Sequence, residues 1–231
     1  MAYVKRIVCL ANSYKPPRGR CIAGREVLEK NKYGAWIRPV SARPKEEVSL
    51  SECAYENRLF PKPLDIIGVP LLNAAPHGHQ TENHLLDPSR WWVKRGELPW
   101  DELEQFRDRP ASLWINRDST RAGVYDCMSS AEASTARNSL LLIKNKDFTI
   151  EVGSRIWDGV KSRTYRGNFQ YNGTYYSFSL TDPTARKAVE GKDEGEYPLN
   201  DVYLCVSLTE PFDEDGRCHK LVAGVIRKPR L

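Results

Sequence analysis

The chain has 231 residues, with 35 Lys and Arg against 30 Asp and Glu, 40% apolar residues and 15 each of Gly and Pro. No apolar run approaches the ~20 residues needed to cross a bilayer, and Met1-Ala2-Tyr3-Val4-Lys5-Arg6 leads into no apolar leader, so a cytoplasmic chain with no membrane partner is expected. Six Trp, eleven Tyr and six Phe, with the apolar content, exclude intrinsic disorder.

In chain order, Tyr3–Asn12, Cys21–Val27 and Ala35–Val40 read as short strands, separated by the turns Lys15-Pro16-Pro17-Arg18-Gly19 and Lys30-Asn31-Lys32-Tyr33-Gly34. A helix is predicted over Glu46–Leu59, where Ser49-x-x-Glu52 has the form of a capping box. Strands are predicted again at Leu64–Leu72 and Asn83–Leu86. Pro99–Phe106 is the best amphipathic helix, with Trp100, Leu103 and Phe106 on one side and Asp101 and Glu102 in its first turn. The second half repeats the first. Ser139–Val152 is one long or two short runs, and Lys161–Tyr171 and Thr174–Leu180 flank Asn172-Gly173, the strongest hairpin signal in the chain. A helix follows at Thr184–Glu190, opened by Asp182-Pro183, and Asp201–Leu208 and Lys220–Arg227 close the series.

Each half is therefore three strands, a helix and two strands, the order of an OB barrel. The expected fold is mainly β: two OB-fold-like five-stranded barrels in tandem, over 1–95 and 134–231, joined by a helical connector over 96–133. The six cysteines include no Cys-x-x-Cys pair, and Cys9 and Cys205 sit inside apolar strands, so reduced, buried thiols are expected.

The net charge of +5 is the remainder of a cancellation. Residues 1–43 hold ten Lys/Arg and two acids, whereas 44–132 hold ten and fifteen; within the rest, 155–166 carry a net +3 and 190–215 a net −8. Such separation predicts a polarised surface that attracts a polyanion on one side.

Three segments resemble the opening of the bacterial dual OB-fold domain family: Lys5-Arg6-Ile7-Val8-Cys9-Leu10-Ala11-Asn12, Arg20-Cys21-Ile22-Ala23-Gly24 and Gly34-Ala35-Trp36-Ile37-Arg38-Pro39-Val40-Ser41. His79-Gln80-Thr81-Glu82-Asn83-His84 and Ser179-Leu180-Thr181-Asp182-Pro183 resemble its middle motifs, and Cys218-His219-Lys220-Leu221-Val222-Ala223 its closing one. The resemblance implies two OB-folds without a known catalytic centre, acting in prokaryotic defence through nucleic-acid recognition. It brings no catalytic residues and no cofactor.

The residues themselves name candidate contacts. Lys15, Arg18 and Arg20 surround a proline-restricted loop that would border an OB ligand face. Trp36 and Arg38 share one face of a strand: with Ile37 inward they form an exposed stacking-plus-charge pair, and with Trp36 inward they are a core anchor and a rim cation. Arg163, Tyr165, Arg166 and Tyr175 interleave cations with aromatics, as single-strand binders require, though Tyr176, Phe178 and Leu180 alternate as core.

Gln80, Asn83 and His84 form a polar motif that either locks a loop or reads a base edge, and Thr181, Asp182 and Lys220 complete the polar set. The histidine spacing fits no zinc pattern, and no phosphate loop, nucleophile elbow or His-Glu-x-x-His helix appears. The expectation is a non-enzymatic protein that binds nucleic acid, single strands favoured, in a basic aromatic groove across both OB faces, with the acidic C-terminal loops turned away or offered to a protein partner in a defence complex. The alternative is an assembly subunit or small-nucleotide sensor built on the same barrels.

Overall fold

The computed structural model describes residues 2–28 and 32–228; Lys30 and Asn31 of the predicted second turn lie outside the described residues. The chain divides into two compact units, residues 1–107 with 137–140, and residues 108–136 with 141–230. The segment read as a connector is thus shared between them: 100–106 clusters with the first unit and 108–133 with the second.

The first unit is built from β1 (Tyr3–Lys15), β2 (Gly19–Val27), β3 (Tyr33–Val40), α1 (Leu50–Cys53), β4 (Asp65–Ala74), β5 (Asn83–Leu86) and β6 (Val93–Glu97). Its strands run β1-β2-β3-β5-β4, and a further β1–β4 pairing closes the circuit, with β3 and β5 parallel and the other pairs antiparallel. Ile7, Cys9, Ile22, Ile37, Val69 and Leu71 fill the interior, and β6 is added outside the circuit on β4.

The second unit contains β7 (Cys127–Ser129), α2 (Ser130–Ala133), β8 (Leu140–Trp157), β9 (Val160–Tyr171), β10 (Thr174–Leu180), α3 (Pro183–Lys187), β11 (Gly195–Pro211) and β12 (Arg217–Arg227). The order β10-β9-β8-β11-β12 is closed by a parallel β10–β12 pairing, and β7 is added on β12. The two circuits are the same circuit, with α1 and α3 in the same interval between third and fourth strands. The halves therefore repeat, each as a closed five-stranded barrel plus one strand that the sequence did not advertise.

Local chemistry explains most of the boundaries. Ser49 and Glu52 form the expected capping box, but the helix lasts only four residues because Ala54 turns extended and Arg58 takes φ 62° in a turn that returns the Leu59 carbonyl to the Tyr55 N–H. At the Asn172-Gly173 turn both residues have positive φ (48° and 79°), which matches the right-handed twist of the flanking strands. The predicted helix at Pro99–Phe106 forms as a 3₁₀ turn over Trp100–Phe106, and its i, i+3 spacing stacks the buried Leu103 and Phe106 on one side. No disulfide joins the six cysteines, and five are buried.

Candidate functional site

In an OB barrel, ligands meet the outer face of the second and third strands and the adjoining loops. In the first unit Ile37 points into the barrel, so Trp36 and Arg38 project outward, yet they are only 6% and 2% exposed. Arg38 Nη2 lies 3.1 Å from Glu82 Oε1 and donates to Ser139 Oγ at 2.9 Å, while Ser139 donates to the same carboxylate. Trp36 faces the Arg25 guanidinium at 5.3 Å.

The second unit repeats the arrangement. Arg166, Asn168 and Ser177 project outward from β9 and β10 but are buried, because residues 119–126 lie across them: Val124 exchanges backbone hydrogen bonds with Ser177, and Asp126 pairs with Arg166 at 2.8 Å. Burial works to raise the Asp126 carboxyl, but hydrogen bonds from Thr120 and Arg166 outweigh it and hold the group below the usual range.

These contacts correct several expectations. Trp36, Arg38 and Arg166 are buried, and the two arginines are engaged by Glu82 with Ser139 and by Asp126. Tyr165 is half-buried under the Arg186 guanidinium at 5.2 Å. Tyr175 is exposed, but its phenol sits near Glu151 and Glu196; burial and these two acids raise it, which makes a poor phosphate neighbourhood. The acidic stretch is not turned away from the basic one. Lys161 pairs with Glu194 at 3.3 Å, and Arg163 donates to the Lys192 carbonyl.

The polar set is structural glue. Asn83 donates to Gln80 at 3.2 Å inside a turn closed by reciprocal His77–Gln80 backbone bonds, and His84 bonds the Tyr3 hydroxyl at 2.6 Å. Burial lowers the His84 pKa, so the ring is neutral at pH 7. Thr181 donates to the Val222 carbonyl, and Asp182 caps α3 while accepting from Val225 N–H. Among the described residues, no group of three or more His, Cys, Asp or Glu is placed to hold a metal.

Lys220, fully buried, donates to the Ile115 carbonyl and to Asn116 Oδ1. Burial pushes its pKa down to about 8, against the pull of Cys127, Asp126 and Glu132. The unfolded chain, with lysine near 10.5, then binds more protons between pH 8 and 10.5, so this group makes stability rise with pH across that window. The span corresponds to about 3 kcal/mol. Lys220→Met should flatten that part of a stability–pH curve measured by urea unfolding. Superimposable slopes for the two proteins from pH 8 to 10 would contradict the assignment.

What remains open is an end of the first barrel. The β1–β2 loop and the α1–β4 segment leave the barrel at the same end, because β1 and β3 both run toward it. At that end a groove of about 500 Å³ is lined by Tyr55, Phe60, Lys62, Asp65, Trp91 and Lys94, among others. Phe60 is 41% exposed and Trp91 52%, whereas the adjacent Trp92 is buried.

Buried Asp65 organises the walls: it accepts from the Tyr55 hydroxyl (2.8 Å) and the Lys62 N–H (3.0 Å) and pairs with Lys94 (2.5 Å). The hydrogen bond that Lys94 donates to Asp65 raises the Lys94 pKa, so it stays cationic. The wall continues to the loop, since Asn12 Nδ2 donates to the Pro61 carbonyl at 2.8 Å. Two residues on, roughly 7 Å along the strand, Tyr14 lies on the same side, 45% exposed, with the Arg20 guanidinium 4.4 Å from its ring. Arg18 is exposed and Lys15 half-buried at the loop itself.

Of the residues predicted from sequence, this end of the barrel holds Lys15, Arg18 and Arg20. It adds Tyr14, Phe60, Lys62, Trp91 and Lys94, which that reading missed. The Trp91-Trp92 pair carried a usable signal, because neighbouring residues of extended backbone project to opposite sides.

No curated protein sequence matches the chain. The family model described as the dual OB-containing domain matches residues 5–225, nearly the whole length, and agrees with two tandem six-stranded sheets, each closed in the OB order. The chain is an OB-fold binding module, and it belongs to the dual OB-containing domain family.

Proposed function

We propose that the protein is a non-enzymatic binder of single-stranded nucleic acid, and that the strand runs along the open end of the first barrel rather than across the covered β2–β3 face. One observation supports this most: half-exposed Phe60 and Trp91 line one groove with Lys62 and Lys94, and half-exposed Tyr14, with Arg20 at its ring, lies two residues beyond Asn12, which is bonded to Pro61 between Phe60 and Lys62. Bases stack on aromatic faces and phosphates meet the cations, the combination on which sequence-tolerant single-strand binding rests. The basic block at 1–43 adds long-range attraction. Family resemblance extends the proposal to service in a prokaryotic defence system. Docking of a protein segment on the same groove is the rival, favoured by exposed Leu59 and Val93 on its wall.

The test is fluorescence anisotropy with labelled oligo-dT and oligo-U of 20 nucleotides, titrated at 50–200 mM salt. Phe60→Ala with Trp91→Ala should weaken binding at least tenfold, since each stacked base contributes about 1–3 kcal/mol. Arg18→Ala with Arg20→Ala should weaken it further and flatten the salt dependence. Absence of binding to either oligonucleotide, or binding indifferent to both salt and the aromatic pair, would overturn the proposal in favour of a protein ligand.

A further inference from the structure

The second barrel carries a feature that the single-strand track does not use. Strands β8 and β9 stay paired from Thr149↔Asn168 to Trp157↔Val160, but burial ends at Val152. The last five pairs, Gly153↔Thr164 to Trp157↔Val160, form a two-stranded ribbon about 17 Å long, closed by Asp158 and Gly159 with positive φ. Among its described side chains none is buried. Ile156 is 73% exposed and Val160 67%, the two most exposed large apolar residues described in the molecule. Arg155, Lys161 and Arg163 flank them, with Ser154, Ser162 and Thr164 between.

An apolar tip so exposed on a soluble ribbon costs solubility unless something covers it. Three cations against one acid, Asp158, in nine residues favour a polyanion, and the Ser162 and Thr164 hydroxyls beside them suit phosphate oxygens. A two-stranded ribbon fits the major groove of a duplex, and β-branched side chains at its tip offer apolar contact to the base edges there. The Lys161–Glu194 pair does not oppose this: both side chains are more than half exposed, and such pairs contribute little and yield to a denser anion.

We propose that the β8–β9 arm is a contact for base-paired nucleic acid that enters the groove tip first: Ile156 and Val160 project from opposite faces of the ribbon, Lys161 and Arg163 on the Ile156 face and Arg155 on the Val160 face, so that cations reach the phosphates on both borders of the groove. This site is separate from the track of the first barrel and does not depend on it.

The experiment uses the full-length protein with three probes: a 20-nucleotide single strand, a 20-base-pair duplex and vesicles rich in anionic phospholipid. Ile156→Ser with Val160→Ser removes only exposed apolar groups, so its thermal midpoint should match that of the unchanged protein. It should weaken duplex binding about tenfold while leaving single-strand binding unchanged. Arg155→Ala with Lys161→Ala should lower the duplex salt slope by about two. Duplex affinity indifferent to both variants, no duplex binding at all, or vesicle binding that the tip variant abolishes would each overturn the arm's assignment. Single-strand binding without duplex binding sinks this inference alone, and duplex without single-strand binding sinks the groove reading alone.

Discussion

Arg38→Ala should lower the unfolding free energy by about 3–5 kcal/mol, the range for removing one partner of a buried ion pair. Arg38 and Glu82 are almost wholly out of water, and one guanidinium nitrogen serves both Glu82 and Ser139. Alanine leaves the Glu82 carboxylate buried with only Ser139 to solvate it. The cost is that of an uncompensated charge, so a second change should recover much of it: Arg38→Met with Glu82→Leu removes both charges and should lie well above Arg38→Ala in stability. Urea unfolding of the three proteins decides it. A single variant within 1 kcal/mol of the unchanged protein, combined with a loss of oligonucleotide affinity, would mean that Arg38 meets a phosphate after all and that the covered face opens in solution.

Asp182→Ala should be the other severe change, at about 3–4 kcal/mol. One carboxylate oxygen receives the N–H groups of Thr184 and Ala185 at the start of α3, and the other receives Val225 N–H from β12 at 2.7 Å. Losing the cap costs about 1–2 kcal/mol. Leaving a buried donor without an acceptor adds about 1–3 kcal/mol. Serine separates the two contributions: its hydroxyl still caps the helix but is too short to reach β12. Thermal unfolding should therefore rank Asp182 above Asp182→Ser and Asp182→Ser above Asp182→Ala. Equal stability of the aspartate and serine forms would show that the bond to β12 contributes nothing.

What the sequence made legible was local. Alternation and turn residues placed thirteen of the strands and helices in order, Ser49 and Glu52 announced their capping box, and Asp182-Pro183 its helix start. β6 escaped because Val93-Lys94-Arg95-Gly96-Glu97 has no apolar alternation, and β7 because three residues carry no period. The burial of Arg38 and Arg166 was hidden for a different reason. Arg38 meets Ser139 across 101 positions and Arg166 meets Asp126 across 40, so nothing near either arginine reports that its charge is already engaged. The exposed cations Arg18, in the β1–β2 loop, and Arg163, on β9, needed no distant partner to be read as surface groups. Trp91 and Phe60 became a surface only when the α1–β4 segment folded beside β6.

The self-covered barrel faces have a kinetic and thermodynamic consequence for any ligand that would use them. Residues 119–126 are tethered to the face that they occupy, so they act as a competitor at an effective concentration of the order of millimolar. A ligand with intrinsic affinity for that face would be held off in proportion to the small fraction of time the segment is away. Its apparent affinity would then report the opening equilibrium as much as its own contacts. Substitutions that loosen the segment, far from any ligand atom, would strengthen binding there without adding one interaction.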